Sequence, residues 1–339
     1  MTTEESPFVL HVPARDIPVP TSVSREAQAV MALGRLGPPS SDWPALDDVS
    51  GWKAFIAERE AMVTTMIGDA GSNIAAEVEE VDLGGFLVYV IRPEGVPLED
   101  RRVYLDILGG AWIQGGGPVC RSRAVGTAAS MAVTVWAVDY RMPPDYPYPT
   151  PLDDCVVAYQ ALLGERRPEE IIIGGGSAGG NLAAALILRA RDGGLPLPAG
   201  VVLGTGAFDL THSGDSWQTN LGLDNILTGS AMPAVLLYAN GHDLREPYLS
   251  PLFADLSNFP PTILTTGTRD LLLSDNVRFH RALRAAGVDA ELHVWEAASH
   301  GGFLGRAPED AERNEEIRRF MNRLWAAPAP ATTVSVHGQ

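Results

Sequence analysis

The chain has 339 residues, of which 45% are hydrophobic and 20% charged, which is enough apolar sequence for a large packed core. Its 25 basic and 42 acidic residues give a formal net charge of −17, so phosphate backbones and anionic lipid would repel it. We therefore expect no nucleic-acid or membrane partner, and two cysteines, Cys120 and Cys155, are too few for a disulfide framework.

The first part of the chain reads as helical. Its start carries acidic residues where a secretory signal needs a basic end, and no run of 18 apolar residues occurs anywhere, which predicts a cytoplasmic protein. Apolar residues recur at helical spacing over 24–37 and 50–68, on either side of the proline-rich stretch GPPSSDWPALDD. We interpret residues 1–75 as N-terminal cap helices.

From about residue 80, short β-rich runs alternate with helical patterns. The strand-like runs are 85–93, 101–109, 132–140, 170–175, 199–204, 261–267 and 290–296. The helical patterns are 122–131, 151–164, 177–192, 273–287 and 307–325. This alternation predicts an α/β fold over 76–326, with a mostly parallel twisted sheet flanked by helices. The segment 207–245 is too long for an ordinary connection and is predicted to be a cap insert, and the Pro/Ala/Thr-rich tail at 327–339 is predicted to be disordered.

The stretch IIIGGGSAGGN at 171–181 fits two incompatible motifs. Gly174, Gly176 and Gly179 match G-x-G-x-x-G, the phosphate-binding turn of a dinucleotide fold. That fold needs an acid about 20 residues further on, whereas Asp209, the nearest one after the next strand, lies 30 residues past Gly179. The same turn matches G-x-S-x-G around Ser177, which would present a nucleophile between a strand and a helix. We therefore expect no cofactor.

A nucleophilic serine needs a histidine to take its proton and a carboxylate to orient that histidine. Downstream of Ser177, Asp270 follows the strand-like run at 261–267 and His300 follows the last strand, in the chain order serine, acid, histidine. Asp275 is an alternative acid, but its place in the next helix favours a capping or solvated role. No H-E-x-x-H pair or Cys/His cluster supports a catalytic metal. We predict Ser177, Asp270 and His300 as a catalytic triad.

Three stretches resemble the hormone-sensitive-lipase-like branch of the α/β-hydrolases, the bacterial family IV carboxylesterases. GGSAGGNLAAAL at 175–186 resembles the family's nucleophile turn, and VDYRMPPDYPYPTPLDDC at 138–155 its D-Y-R-L-A-P-E-x-P-F-P-A-x-x-D-D segment. LGGAWIQGG at 108–116 stands where the family has its H-G-G-G loop. The resemblance implies an α/β-hydrolase fold with a helical cap.

The resemblance also implies an oxyanion hole built from the backbone N–H groups of Gly109, Gly110 and Ala178. Three positions depart from the family pattern: Leu108 replaces a histidine, Ala111 the third glycine, and Gly176 a frequent aspartate. Because the implied donors are backbone groups, we expect these changes to affect rate and substrate choice more than reaction class.

Together the triad and the resemblance predict a serine hydrolase that cleaves carboxylic esters of small to medium acyl groups through an acyl-enzyme. Two alternatives remain: a lactone hydrolase with the same triad, and a catalytically inactive small-molecule-binding protein on the same fold. The resemblance also allows a homodimer.

Overall fold

The computed structural model describes residues 9–36, 43–67 and 74–327 of the chain. These residues form an eight-stranded, mostly parallel sheet flanked by helices, which confirms the predicted fold class. The tail predicted to be disordered lies outside the described residues except for its first residue, as does the first half of the proline-rich stretch.

The sheet and its helices follow one another along most of the chain. The strands are β1 (Ala76–Asp82), β2 (Leu87–Pro93), β3 (Val103–Ile107), β4 (Thr134–Asp139), β5 (Ile171–Gly176), β6 (Gly200–Gly204), β7 (Thr262–Gly267) and β8 (Ala290–Trp295). The helices are α1 (Arg25–Ala32), α2 (Val49–Ile67), α3 (Pro118–Met131), α4 (Thr150–Leu163), α5 (Ala178–Asp192), α6 (Ser216–Thr219), α7 (Met232–Ala239), α8 (Leu273–Ala285) and α9 (Pro308–Ala326).

Strand order places the predicted catalytic residues at one edge of the sheet. The order is β1-β2-β4-β3-β5-β6-β7-β8, with antiparallel pairing of β1 to β2 and of β2 to β4 and parallel pairing elsewhere. Nearly every residue of β4, β5, β6 and β7 is buried, so both faces of the sheet centre are covered. Ser177, Asp270 and His300 follow the carboxyl ends of β5, β7 and β8, where α/β sheets carry their sites.

Most predicted elements agree with the structure to within two residues at each end, with three exceptions. Strand β1 was not predicted; its sequence AEVEEVD has four acids, and its side chains are only half-buried or exposed. Helix α1 is shorter than the pattern over 24–37, and α3 begins at Pro118, four residues before the pattern at 122–131. Proline suits a first helical position because its missing N–H has no helical partner there.

The N-terminal helices pack against loops at the carboxyl edge of the sheet. Ala27 and Val30 of α1 contact Phe303 and its neighbours in the loop that carries His300. Trp52 of α2 is fully buried against Ile113, in the loop after β3, and against α7 of the 207–245 segment. None of the described helices is both long and apolar enough to cross a membrane.

Candidate active site

The turn at Ser177 is strained and tightly packed. Ser177 joins β5 to α5 with a φ of 57° and a ψ of −123°, which few side-chain-bearing residues adopt. A side chain on Gly179 would lie 2.8 Å from the carbonyl carbons of Ile107 and Leu108, and closer still to the Ile107 oxygen. Glycine therefore lets the serine turn touch the main chain of the loop that follows β3.

The structure brings the three predicted triad residues together. The Ser177 Oγ lies 2.9 Å from Nε2 of His300, and the His300 Nδ1 lies 3.1 Å from Oδ1 of Asp270. Because a carboxylate can only accept, Nδ1 carries the imidazole proton, and Nε2 accepts from the serine hydroxyl. This arrangement can take a proton from Ser177 and hold the resulting positive charge beside a carboxylate.

The surroundings of His300 favour its charged form. Burial lowers the pKa of the imidazole, but the Asp270 carboxylate, assisted by Asp224, outweighs burial and raises that pKa above its ordinary value. Arg123 acts in the opposite direction. The histidine is therefore a stronger base than a free imidazole.

The triad acid is held by its own set of bonds. Asp270 is fully buried, accepts from the Thr266 hydroxyl at 2.8 Å, and accepts from the Leu272 N–H at 2.9 Å. Its own carbonyl accepts from Nδ2 of Asn220 at 2.8 Å. These bonds fix the carboxylate in the orientation that the imidazole requires.

Asp275, the alternative acid, does not contact His300, and the capping or solvated role expected for it is wrong. It is fully buried in the first turn of α8, where its Oδ2 accepts from the N–H groups of Phe208 and Asp209, 3.0 Å away in each case. Burial raises the pKa of this carboxyl to about 8. Asp275 therefore anchors the chain after β6, because the loop there folds back onto α8.

The predicted oxyanion donors are unused by the protein and lie beside the serine. Within the described chain, no hydrogen bond is donated by the N–H of Gly109, Gly110 or Ala178, nor by that of Ala111, which was not predicted as a donor. A side chain on Gly109 would lie only 3.4 Å from the Cβ of Ser177. These backbone N–H groups are thus free to donate to a bound ligand, as the predicted oxyanion hole requires.

The structure shows the surroundings or the backbone conformation of each residue that departs from the family pattern. Leu108 is buried in the main core, and its carbonyl accepts from the Tyr140 hydroxyl at 2.9 Å, so the loop is braced without a histidine. Ala111 adopts a φ of 53°, the left-handed conformation that glycine takes without strain. A side chain on Gly176 would meet only the Gly204 oxygen, at 3.5 Å, so the structure leaves room for a side chain where the family often has an aspartate.

Two acids that the sequence did not single out hold the far part of the same loop. Glu60 of α2 accepts from the N–H of Gly115, and both oxygens of Asp139 accept from the N–H of Gly117, at 3.0 and 2.9 Å. Asp139 lies in the family-like stretch at 138–155, whereas no pattern marked Glu60. The loop between β3 and α3, which carries Gly109 and Gly110, is therefore anchored to the sheet and to α2.

The glycine-rich turn offers little room for a dinucleotide phosphate. A side chain on Gly174 would lie 2.6 Å from the Val202 oxygen and 2.8 Å from the Tyr104 ring, and Gly179 packs against the loop after β3. A phosphate cradle needs open space over such glycines. The close packing therefore favours the serine interpretation of this turn.

Comparison with known proteins shows the family to which the chain is similar. A protein-family profile described as alpha/beta hydrolase fold matches residues 104–304. An esterase of Acinetobacter venetianus is 35% identical over 259 residues, covering 74% of this chain and 84% of the relative. The crystal structure of an esterase E25 superposes with a TM-score of 0.86 at 34% identity, covering 93% of this chain and 98% of that one. An esterase from the bacterial hormone-sensitive lipase family superposes with a TM-score of 0.76 at 30% identity, covering 89% and 99%.

Proposed function

The chain belongs to the α/β-hydrolases of the bacterial hormone-sensitive lipase family and is a carboxylic ester hydrolase, and on this premise we propose that Ser177 is its nucleophile. His300 acts as the general base, and Asp270 orients the imidazole and stabilises its charged form. The observation that carries the proposal is the 2.9 Å approach of the Ser177 Oγ to Nε2 of His300, with Asp270 on the opposite ring nitrogen.

The reaction proceeds through an acyl-enzyme. The Ser177 oxygen attacks the ester carbonyl carbon while its proton passes to Nε2 of His300. The N–H groups of Gly109, Gly110 and Ala178 stabilise the oxyanion, and the intermediate collapses as His300 returns the proton to the leaving alcohol. Water then attacks the acyl-enzyme by the same sequence, with His300 taking its proton, and releases the carboxylic acid and the free serine.

The N-terminal helices and the 207–245 segment form the cap over this site. Two sets of contacts support this assignment. Trp52 of α2 packs against the loop after β3 and against α7, and α1 packs against the loop of His300. Trp112, two residues after Gly110, is buried and stacks on Tyr238 of α7 with ring centroids 4.8 Å apart. An acyl pocket beneath an apolar, aromatic cap of this kind would accept acyl groups of small to medium size.

Replacement of the serine tests the mechanism. Ser177→Ala should lower kcat for p-nitrophenyl acetate by at least about 10⁴-fold. The matched control is Ser257→Ala, at an exposed serine, which should retain activity. A fluorophosphonate, which loses fluoride when the serine oxygen attacks its phosphorus, should add the mass of its phosphonyl group to the wild type and to the control but not to Ser177→Ala.

The outcomes separate the candidate functions. Substantial ester hydrolysis by Ser177→Ala, or labelling at another residue, would remove the mechanism. A wild type that neither labels nor turns over esters would indicate a binding protein on this fold. Rates on p-nitrophenyl esters of increasing acyl length, beside a panel of lactones, identify the substrate class.

A further inference from the structure

A second buried acid lies beside the triad, on the 207–245 segment. Asp224 is only 1% exposed and is absent from the mechanism above. Its Oδ1 accepts from the N–H groups of Ile226 and Leu227, at 2.9 and 3.0 Å. Its Oδ2 accepts from the N–H of Leu271 at 3.0 Å, and both oxygens lie 3.3 Å from the N–H of His300. One carboxylate thus bonds three separate segments of the main chain.

Two of those segments carry triad residues. Leu271 directly follows Asp270, and the His300 N–H belongs to the base itself. Neighbouring side chains strengthen the same connection: Asn220 donates to the carbonyls of Asp270 and Thr268, at 2.8 and 3.1 Å. The segment around Asp224 therefore fixes the main chain of the acid and of the base relative to each other.

The charge of Asp224 also reaches the imidazole. Burial and the neighbouring Asp270 carboxylate raise the pKa of the Asp224 carboxyl above its ordinary value, although His300 and the N–H donors act in the opposite direction. The charged groups around His300 are the carboxylates of Asp270 and Asp224 and the guanidinium of Arg123, and Arg313 bonds the carbonyl of the next residue. Four backbone N–H donors around a carboxylate favour its anionic form, which attracts a positively charged imidazole.

We propose that Asp224 is a positioning residue of the ester hydrolase, whose carboxylate holds the main chain at Asp270 and His300 and stabilises the charged imidazole during turnover. The inference rests on the proposed function, because it assigns His300 the role of base. It adds a fourth side chain, contributed by the 207–245 segment, to the three of the proposed triad.

The experiment compares two buried acids of the same segment. In Asp224→Asn the amide oxygen can still accept from one side, but the NH2 group cannot accept from the Leu271 N–H, and the charge is lost. The matched control is Asp209→Asn: Asp209 is also 1% exposed and bonds Thr211, Ser213 and Arg278, and none of its side-chain bonds in the described chain reaches Asp270 or His300.

The pH dependence of p-nitrophenyl acetate hydrolysis provides the readout. For Asp224→Asn we expect kcat to fall by about 10- to 100-fold with KM little changed, as for a misplaced catalytic group. We also expect the acid limb of kcat/KM to move to lower pH, because an imidazole without this neighbour protonates less readily. Asp209→Asn should leave the acid limb where the wild type has it.

The alternative results are decisive. An acid limb of Asp224→Asn that coincides with the wild type would overturn the proposal, and if Ser177→Ala is inactive the proposed function survives that result. If Asp224→Asn shows no cooperative unfolding, Asp224→Glu keeps the charge but lengthens the side chain. Asp224→Glu should therefore have a lower kcat than the wild type, while the acid limb of its kcat/KM profile stays at the wild-type pH. If Asp224→Glu kept the wild-type kcat, the proposal would also be overturned.

Discussion

A methyl group on Gly179 should separate the proposed nucleophile, Ser177, from the proposed oxyanion hole. The added Cβ would lie 2.8 Å from the carbonyl carbons of Ile107 and Leu108, whereas ordinary contact begins at 3.4 Å. The main chains of α5 and of the loop after β3 must therefore move apart by at least 3.4 − 2.8 = 0.6 Å, and by more at the Ile107 oxygen. Both are backbone, so no side chain can rotate to relieve the overlap.

The expected losses follow from that displacement. A misplacement of about 1 Å at a reacting group costs about 100-fold in rate, and loss of one oxyanion donor costs about 2.7–4 kcal/mol. Gly179→Ala should therefore lower kcat for p-nitrophenyl acetate by about 100-fold or more. Overpacking should also lower the free energy of unfolding by about 1–3 kcal/mol, partly offset by the better helix propensity of alanine.

A second glycine in a helix provides the control. Gly126 lies in α3, and a side chain there would have no neighbour within 4 Å. Gly126→Ala should keep the wild-type kcat and raise the free energy of unfolding by about 0.5–1 kcal/mol in urea titrations. The reasoning is refuted if Gly179→Ala matches Gly126→Ala in both kcat and unfolding midpoint.

Three further predictions concern the base and the bonds that support the site. Because the His300 pKa is raised and the protonated ring cannot accept the serine proton, kcat/KM should be half-maximal above about pH 6.5, and a midpoint below that in a pH series would argue against Asp270 as its partner. Asn181→Ala removes two 2.8 Å bonds to buried carbonyls and should cost at least about 2 kcal/mol in urea unfolding, so an unchanged midpoint would contradict their importance. Tyr140→Phe leaves the Leu108 carbonyl without its hydroxyl donor and should lower stability by about 1–3 kcal/mol and kcat more than KM; identical kinetics would show that the loop needs no brace.

The central sheet was predictable because its strands are buried on both faces. Such strands read as continuous apolar runs, as in the three isoleucines that open β5. Strand β1 escaped prediction because it is an edge strand whose side chains are half-buried or exposed, so composition carries little signal. Its seven residues pair with β2 through backbone bonds, which any sequence without proline can supply.

The candidate site also contains residues that the sequence predicted and residues that it did not. Chain order and motif spacing sufficed to single out Ser177, Asp270 and His300, because the chemistry dictates those residue types. Asp224 accepts only from backbone N–H groups, two of them nearby in sequence and two in distant segments, so the residue types of its partners leave no pattern. Asp275 was misjudged for a related reason, since helical position alone does not reveal that the chain after β6 covers it.

The packing of α1 against the C-terminal part of the chain has a consequence for folding during synthesis. Ser24 caps α1, since its Oγ accepts from the N–H of Ala27, and it donates its own N–H and hydroxyl to Glu309 of α9, 285 residues away, at 2.7 and 2.8 Å. Contacts that close so much chain form late in folding, because the entropy of closing them must be met first. On the proposed mechanism, the hydroxyl of Ser177 is therefore synthesised long before the loop of His300 is packed in place, and an unfinished polypeptide carries no activated nucleophile that could be acylated prematurely.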